Sequence, residues 1–134
     1  MSNNENRKVV EDLYEAFGQG DVGRVLSLLS PSVAWQNHGP RTVEIYVPRV
    51  GRDAVGDWLG FLGSALEIGE FVTESFISDG DQVVVVGHEK GKARSTGKTY
   101  QTRFAHVWQL QDGLIARYDG FEDSHAIAEA FAKD

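Results

Sequence analysis

The sequence predicts one α+β domain. Apolar residues recur at helical spacing through the first part of the chain, and from Phe71 onward they alternate between tight turns. Helices followed by a β-meander is the element order of an α+β fold rather than of a parallel α/β sheet. A third observation concerns the meander: its strands place His106 among acids and glycines on a face otherwise suited to burial.

The elements follow in order. Val9, Val10, Leu13, Ala16 and Phe17 mark a helix over about Glu5 to Phe17, closed by Gly18 and Gly20. Asp21 is the expected N-cap of a short second helix carrying Val22, Val25, Leu26, Leu28 and Leu29, which Pro31 ends. A strand passes through Val33, Trp35 and Asn37, followed by a loop with Gly39, Pro40 and Pro48. Asp53 is the expected cap of a third helix, Ala54 to about Leu66, with Val55, Trp58, Leu59 and Leu62 inward. Strands are expected at Phe71–Ser78, Val83–Lys90, Tyr100–Leu110 and Leu114–Phe121. Asp123 or Ser124 then caps a last helix to Lys133.

Composition excludes several classes. The chain has 134 residues, enough to bury a core, and no cysteine, hence no disulfide framework or thiolate chemistry. A net charge of -7 argues against nucleic acid, whose phosphates require a basic face. No apolar run reaches the ~20 residues of a membrane span, and Met1 to Arg7 lacks an apolar signal segment. The expectation is a cytoplasmic protein. No His-Glu-x-x-His spacing, phosphate loop, dinucleotide fingerprint or nucleophile elbow is present, so no metal and no cofactor is expected.

Register decides which side chains meet, because residues alternate between faces of a strand. The hairpin centred near Ser95 and Thr96 sets Glu89 near Thr102, Gly87 near Phe104 and Val85 near His106. The last hairpin is open between two readings. A three-residue Gln111-Asp112-Gly113 loop puts Tyr118 opposite His106 and Glu122 opposite Thr102. A two-residue Asp112-Gly113 loop puts Asp119 there instead. Under the first, one face carries Val85, Gly87, Glu89, Thr102, Phe104, His106, Tyr118, Gly120 and Glu122. The two glycines mark either bulges or positions where something needs room.

The helix order, the Trp35-Gln36-Asn37 strand, the Gly51-Arg52-Asp53-Ala54-Val55 helix start and the meander together resemble the nuclear transport factor 2-like superfamily. Within it the chain resembles SnoaL-like proteins and the related ketosteroid isomerases, polyketide cyclases and limonene epoxide hydrolases. The resemblance implies a cystatin-like, cone-shaped curved antiparallel sheet wrapped on N-terminal helices, an apolar pocket, a homodimer, and the three-residue parity of the last hairpin. It puts Asn37 where the isomerase keeps its basic Asp, Leu13 at the isomerase's helix-one Tyr, and His106 near its second Asp. Against the epoxide hydrolase, Trp35-Gln36-Asn37 matches a Tyr-Gln-Asn segment and Glu89 the water-activating Asp. Gly87 and Gly120 stand at its Arg and its other Asp.

The candidate catalytic residues are therefore His106, Glu89 and Asn37. His106 titrates near neutral pH, Glu89 is a possible general base, and Asn37 can orient a carbonyl or water. Trp35, Phe104, Tyr118, Glu122 and Thr102 are the candidate substrate-binding residues, with Glu122 expected to reach solvent at its strand end. The expected function is a cofactor-free isomerase, cyclase or hydrolase acting on a small hydrophobic, oxygenated ligand. The alternatives are a non-catalytic carrier of such a ligand, and a dimerisation module using the face around Arg103, Ala105, Val107 and Arg117.

Overall fold

A computed structural model describes residues 2–134. Helix α1 (Asn3–Gly18) begins at an N-cap Ser2, whose hydroxyl accepts from Glu5 N. Helix α2 (Val22–Ser27) is capped by Asp21 as the sequence indicates, but it stops short of Leu29. Strand β1 (Leu29–Asn37) takes over there and carries Pro31 within it. The strand β2 (Arg49–Val50) is two residues long. Helix α3 (Arg52–Ala65) is capped by Gly51 rather than Asp53. Gly51 has φ 91°, a conformation open to glycine, and its N–H is bonded to Val33 O. The Arg52 guanidinium donates twice to Leu29 O, fastening the start of α3 to the start of β1.

Four strands form the meander: β3 (Leu66–Asp79), β4 (Gln82–Ala93), β5 (Thr99–Gln111) and β6 (Leu114–Glu122). Strand β3 starts directly at the end of α3, five residues before the predicted Phe71. The meander is antiparallel throughout, and the six-stranded, curved and unclosed sheet has the order β2-β1-β6-β5-β4-β3. Strand β1 joins β6 in parallel, so the sheet is mixed where a wholly antiparallel one was expected. Helix α4 (Ser124–Phe131) is capped by Asp123, whose carboxylate accepts from Ala126 N.

The β4–β5 register is the predicted one, with Val85 opposite His106, Gly87 opposite Phe104 and Glu89 opposite Thr102. The last hairpin combines the two readings. Its loop is the two-residue Asp112-Gly113, both with positive φ, and Gln111 pairs with Leu114. A bulge then skips Ala116, and from Gln109 onward the pairing is displaced by one. His106 lies opposite Gly120, Trp108 opposite Tyr118 and Phe104 opposite Glu122. The bulge restores the parity of the three-residue loop, so His106, Tyr118 and Glu122 share a face with Glu89.

That face packs against the helices. Helix α1 lies across β3, β4 and β6, and α4 across β4 and β5. Val10, Leu13 and Ala16 of α1, Val55, Trp58 and Leu62 of α3, and Trp35, Trp108 and Tyr118 of the sheet are buried in one core. No helix is long and apolar enough to cross a membrane among the described residues.

Candidate active site

The helices and the inner sheet face enclose a cavity. The centre of a water-sized sphere can move through about 70 Å³ of it. A single water needs roughly 10–15 Å³ on this measure, so the space holds a few waters or a very small organic molecule. Its walls are mostly apolar: Leu13, Trp35, Trp58, Phe71 and Ile127 are among them. Four groups break the apolar lining at points where chemistry is possible: Asn37, Glu89, His106 and Glu122.

His106 is buried and held from one side. Its Nδ1 lies 2.5 Å from the Tyr14 hydroxyl, which also accepts a hydrogen bond from Trp108 Nε1 at 3.1 Å. The indole N–H only donates, and Nδ1 is the acceptor within reach of the hydroxyl hydrogen, so we assign that hydrogen to the bond with Nδ1. The imidazole therefore carries its own hydrogen on Nε2. Burial depresses its pKa to about 3, so the ring is neutral at pH 7 and offers an N–H donor rather than a base. The ring stacks on Phe104 at 4.1 Å between centroids.

Asn37 ends β1 opposite Gly120. Tyr118 donates its hydroxyl hydrogen to Asn37 Oδ1 at 2.5 Å, which leaves the Asn37 amide hydrogens free for a ligand oxygen. Trp35 packs against Tyr118 and Trp108 and forms wall; its Nε1 is buried without a partner.

Glu89 and Glu122 form a carboxyl pair. Tyr100 donates to Glu89 Oε2 at 3.0 Å, and Tyr46 donates to Glu122 Oε1 at 3.0 Å. The two acids line the same cavity, and the charge of Glu89 acts on Glu122. Burial raises the pKa of Glu89. Burial, and then the neighbouring Glu89 charge, raise that of Glu122 to about 7. Glu122 was expected in solvent at its strand end. It is instead enclosed by the fully buried Tyr46 from a 3₁₀ turn at Glu44–Tyr46 and by its partner acid.

The structure thus brings Trp35, Asn37, Glu89, His106, Tyr118 and Glu122 to one cavity. Phe104 and Thr102 are buried on the same face but lie behind the lining. Phe104 spans the gap over Gly87, between Phe71 and His106. The Thr102 hydroxyl donates to Arg103 O and accepts from Asp123 N, tying β5 to the end of β6. Gly87 and Gly120 create no open space. A Cβ at Gly120 would stand 1.9 Å from Asn37 Oδ1, so that room is taken by the Asn37–Tyr118 pair.

Sequence reasoning missed Tyr14. Val10, Leu13, Tyr14 and Phe17 have the i, i+3, i+4, i+7 spacing of one helix face, and that was the available signal. The helix-one tyrosine that reaches the His106 position is thus Tyr14, one residue after the Leu13 that the resemblance indicated. Tyr14→Phe should cost about 1–3 kcal/mol, because it strips partners from a buried indole N–H and a buried ring nitrogen. Equilibrium denaturation measures the cost. An unchanged stability would mean that these hydrogen bonds are replaced elsewhere.

The sequence profile of SnoaL-like domains matches residues 10–118. The chain belongs to the SnoaL-like domain family. Its fold is that of solved NTF2-like proteins. One from Burkholderia xenovorans LB400 is 24% identical, with TM-score 0.91 over 98% of this chain and 99% of its own. An NTF2-like protein of unknown function from Burkholderia pseudomallei K96243 is 26% identical, with TM-score 0.88 over 99% of this chain and all of its own. TerC, crystallised with polyporic acid, is 25% identical, with TM-score 0.84 over 94% of this SnoaL-like chain and 97% of its own. No protein of curated function matches in sequence.

Proposed function

We propose that this SnoaL-like protein is an acid–base enzyme that needs no cofactor, an isomerase, cyclase or hydrolase of a small, hydrophobic, oxygenated compound. One observation carries the reading. Hydrogen-bond donors and two buried acids, Glu89 and Glu122, converge on a cavity that is otherwise apolar. In this reading the neutral His106 N–H and the Asn37 amide hold the oxygen of the substrate. Glu89 moves the proton. Burial keeps these groups out of competition with bulk water, where a carboxylate is too weak a base for carbon acids. TerC, similar over nearly the whole chain, was crystallised with polyporic acid, which supports an oxygenated small molecule as the ligand class.

The cavity limits the substrate's size. A terpenoid or polyketide skeleton exceeds the enclosed space, but Phe17, Val25, Leu59, Leu62, Leu66 and Ile68 also line an outer recess of about 260 Å³.

The test is a panel of epoxides, enones and polyketide analogues assayed for both turnover and binding, with His106→Ala and Glu89→Gln. Glu89→Gln should lower turnover by 10²-fold or more while binding persists. A carrier is the second reading, favoured by glycine at 87 and 120 and asparagine at 37, where the resembled enzymes keep charged groups. Binding without turnover, indifferent to Glu89→Gln, would establish it and sink the enzyme.

A further inference from the structure

The acid–base reading leaves Glu122 without a task, although the fold fixes it in the cavity wall. Tyr46, fully buried, donates to Glu122 Oε1 at 3.0 Å and orients the carboxyl. Glu89 lines the same space, with Tyr100 on its Oε2. No lysine or arginine is among the lining residues, and the one lining histidine, His106, is neutral. The cavity therefore carries two acids and no positive charge. A buried carboxylate without a cation is costly, and the lining supplies none. The wall nearby is aromatic. Trp58, whose Nε1 donates to Ile45 O beside Tyr46, packs against Trp35 at 5.6 Å between ring centroids. Trp35 in turn packs on Tyr118 at 4.3 Å. Aromatic faces attract a cation that has left water.

A second observation describes the rest of the ligand. Asn37 and His106 are each more than nine-tenths buried, and neither the Asn37 amide hydrogens nor the His106 Nε2–H has a partner among the described residues. Both side chains line the cavity, so they call for an acceptor oxygen there. Strand register sets the spacing of the two ends. His106 and Asn37 both lie opposite Gly120, and Glu122 is two residues further along β6. Two residues of strand span about 7 Å. With a hydrogen bond of about 3 Å at each end, the oxygen and the cation of the ligand stand only a few bonds apart.

We propose that this cavity binds a small aminoketone, with its protonated amine on Glu122 and its carbonyl oxygen on Asn37 and His106. The oxygen end rests on the acid–base reading above, and the amine names the substrate class further. An ammonium brings three N–H donors and the missing charge to the side of the cavity where both acids stand. It also relieves the repulsion by Glu89 that helps to raise the pKa of Glu122 to about 7. A carboxylate or phosphate on the ligand would meet like charge there. A hard divalent ion takes about six or more oxygen ligands, whereas an ammonium needs few and accepts the aromatic wall for the rest.

Aminoacetone and butan-2-one are the probes, because they differ only by an ammonium in place of a methyl group. Both suit a space of a few waters. Each is titrated into the protein at pH 7, and binding is followed by the tryptophan indole N–H signals. Aminoacetone should bind about 10-fold tighter or more. Glu122→Gln should lose that preference and hold butan-2-one within about 3-fold of the wild type, since glutamine keeps the shape and accepts from Tyr46. Equal affinity for the two probes in the wild type, or a preference that survives Glu122→Gln, would overturn the amine site and leave the acid–base reading standing. Loss of both affinities in the variant would make Glu122 a structural residue and overturn the site as well. Failure of the wild type to bind either probe would overturn the amine site together with the oxygen-holding role of Asn37 and His106 on which it rests.

Discussion

Glu122→Gln should stabilise the protein at pH 8 by about 2–3 kcal/mol and leave its stability at pH 4 nearly unchanged. The sign follows from the raised pKa. Glu122 titrates near 4.5 when unfolded and near 7 when folded, because burial and the Glu89 charge disfavour its ionised form. The folded state holds this proton more tightly, so the stability tied to it is fully present below pH 4.5. It is lost as pH rises through 7. Glutamine is neutral throughout, can accept from Tyr46, and can donate its amide hydrogens to Glu89. The groups around the site are Glu89, Tyr46, Tyr100 and Asp123, and the tyrosines stay protonated across this range. Urea unfolding of both proteins from pH 4 to 8 would show the two stability curves diverging between pH 4.5 and 7. Parallel curves would mean that Glu122 titrates in the folded protein as it does in the unfolded chain, with no proton held more tightly by the fold.

The second large effect is expected at a glycine. Gly87→Ala places a Cβ 2.1 Å from Val72 O and 2.4 Å from Phe104 Cζ. The carbonyl belongs to the backbone of β3, so relief requires β3 and β4 to part. A loss of about 3 kcal/mol or more is expected, at or beyond the upper end for overpacking. Gly120→Ala meets Asn37 Oδ1 at 1.9 Å and the Tyr118 hydroxyl at 2.2 Å, both ends of side chains. These are side-chain atoms rather than backbone, and Asn37 at the end of its strand can yield more readily than a paired strand, so the cost there is about 1–3 kcal/mol, taken mainly from the Tyr118–Asn37 hydrogen bond. Denaturation of both variants decides the matter. If Gly120→Ala proves the more destabilising, the distinction between blocking a backbone and blocking a side chain does not govern this sheet.

The β4–β5 register was legible in the sequence because it depends on one short hairpin whose polar turn marks its own centre. The last hairpin was left open by its residues, and only the family resemblance gave its parity. The Asp112-Gly113 loop belongs to one reading and the face to the other, and the bulge at Ala116 that reconciles them has no glycine or proline to announce it. The parallel partnership of β1 and β6 left no local mark, since it joins segments from opposite ends of the chain. The same distance hid the state of Glu122. Its burial depends on Tyr46, which arrives from a loop with no periodicity, and on Glu89 from another strand. Tyr14 was within reach of helical spacing, but its bond to His106 again spans the chain. The cap was read at Asp21, and at Asp123 as one of two neighbouring candidates; it was missed at Ser2, three residues before the expected Glu5, and misread at Gly51, where no side chain caps the helix.

The parallel strand also orders events in time. Loop closure makes contacts between distant segments slow, whereas hairpins close quickly. The meander can therefore assemble from neighbours, and with it the register that aligns Glu89 with Thr102 and His106 with Val85. Trp35 and Asn37 must wait until β1 finds β6 across most of the chain. A nascent or partly folded molecule can thus align its acids before it has the amide that would hold a ligand. Competence for binding is then acquired at the last step of folding rather than accumulated along the way.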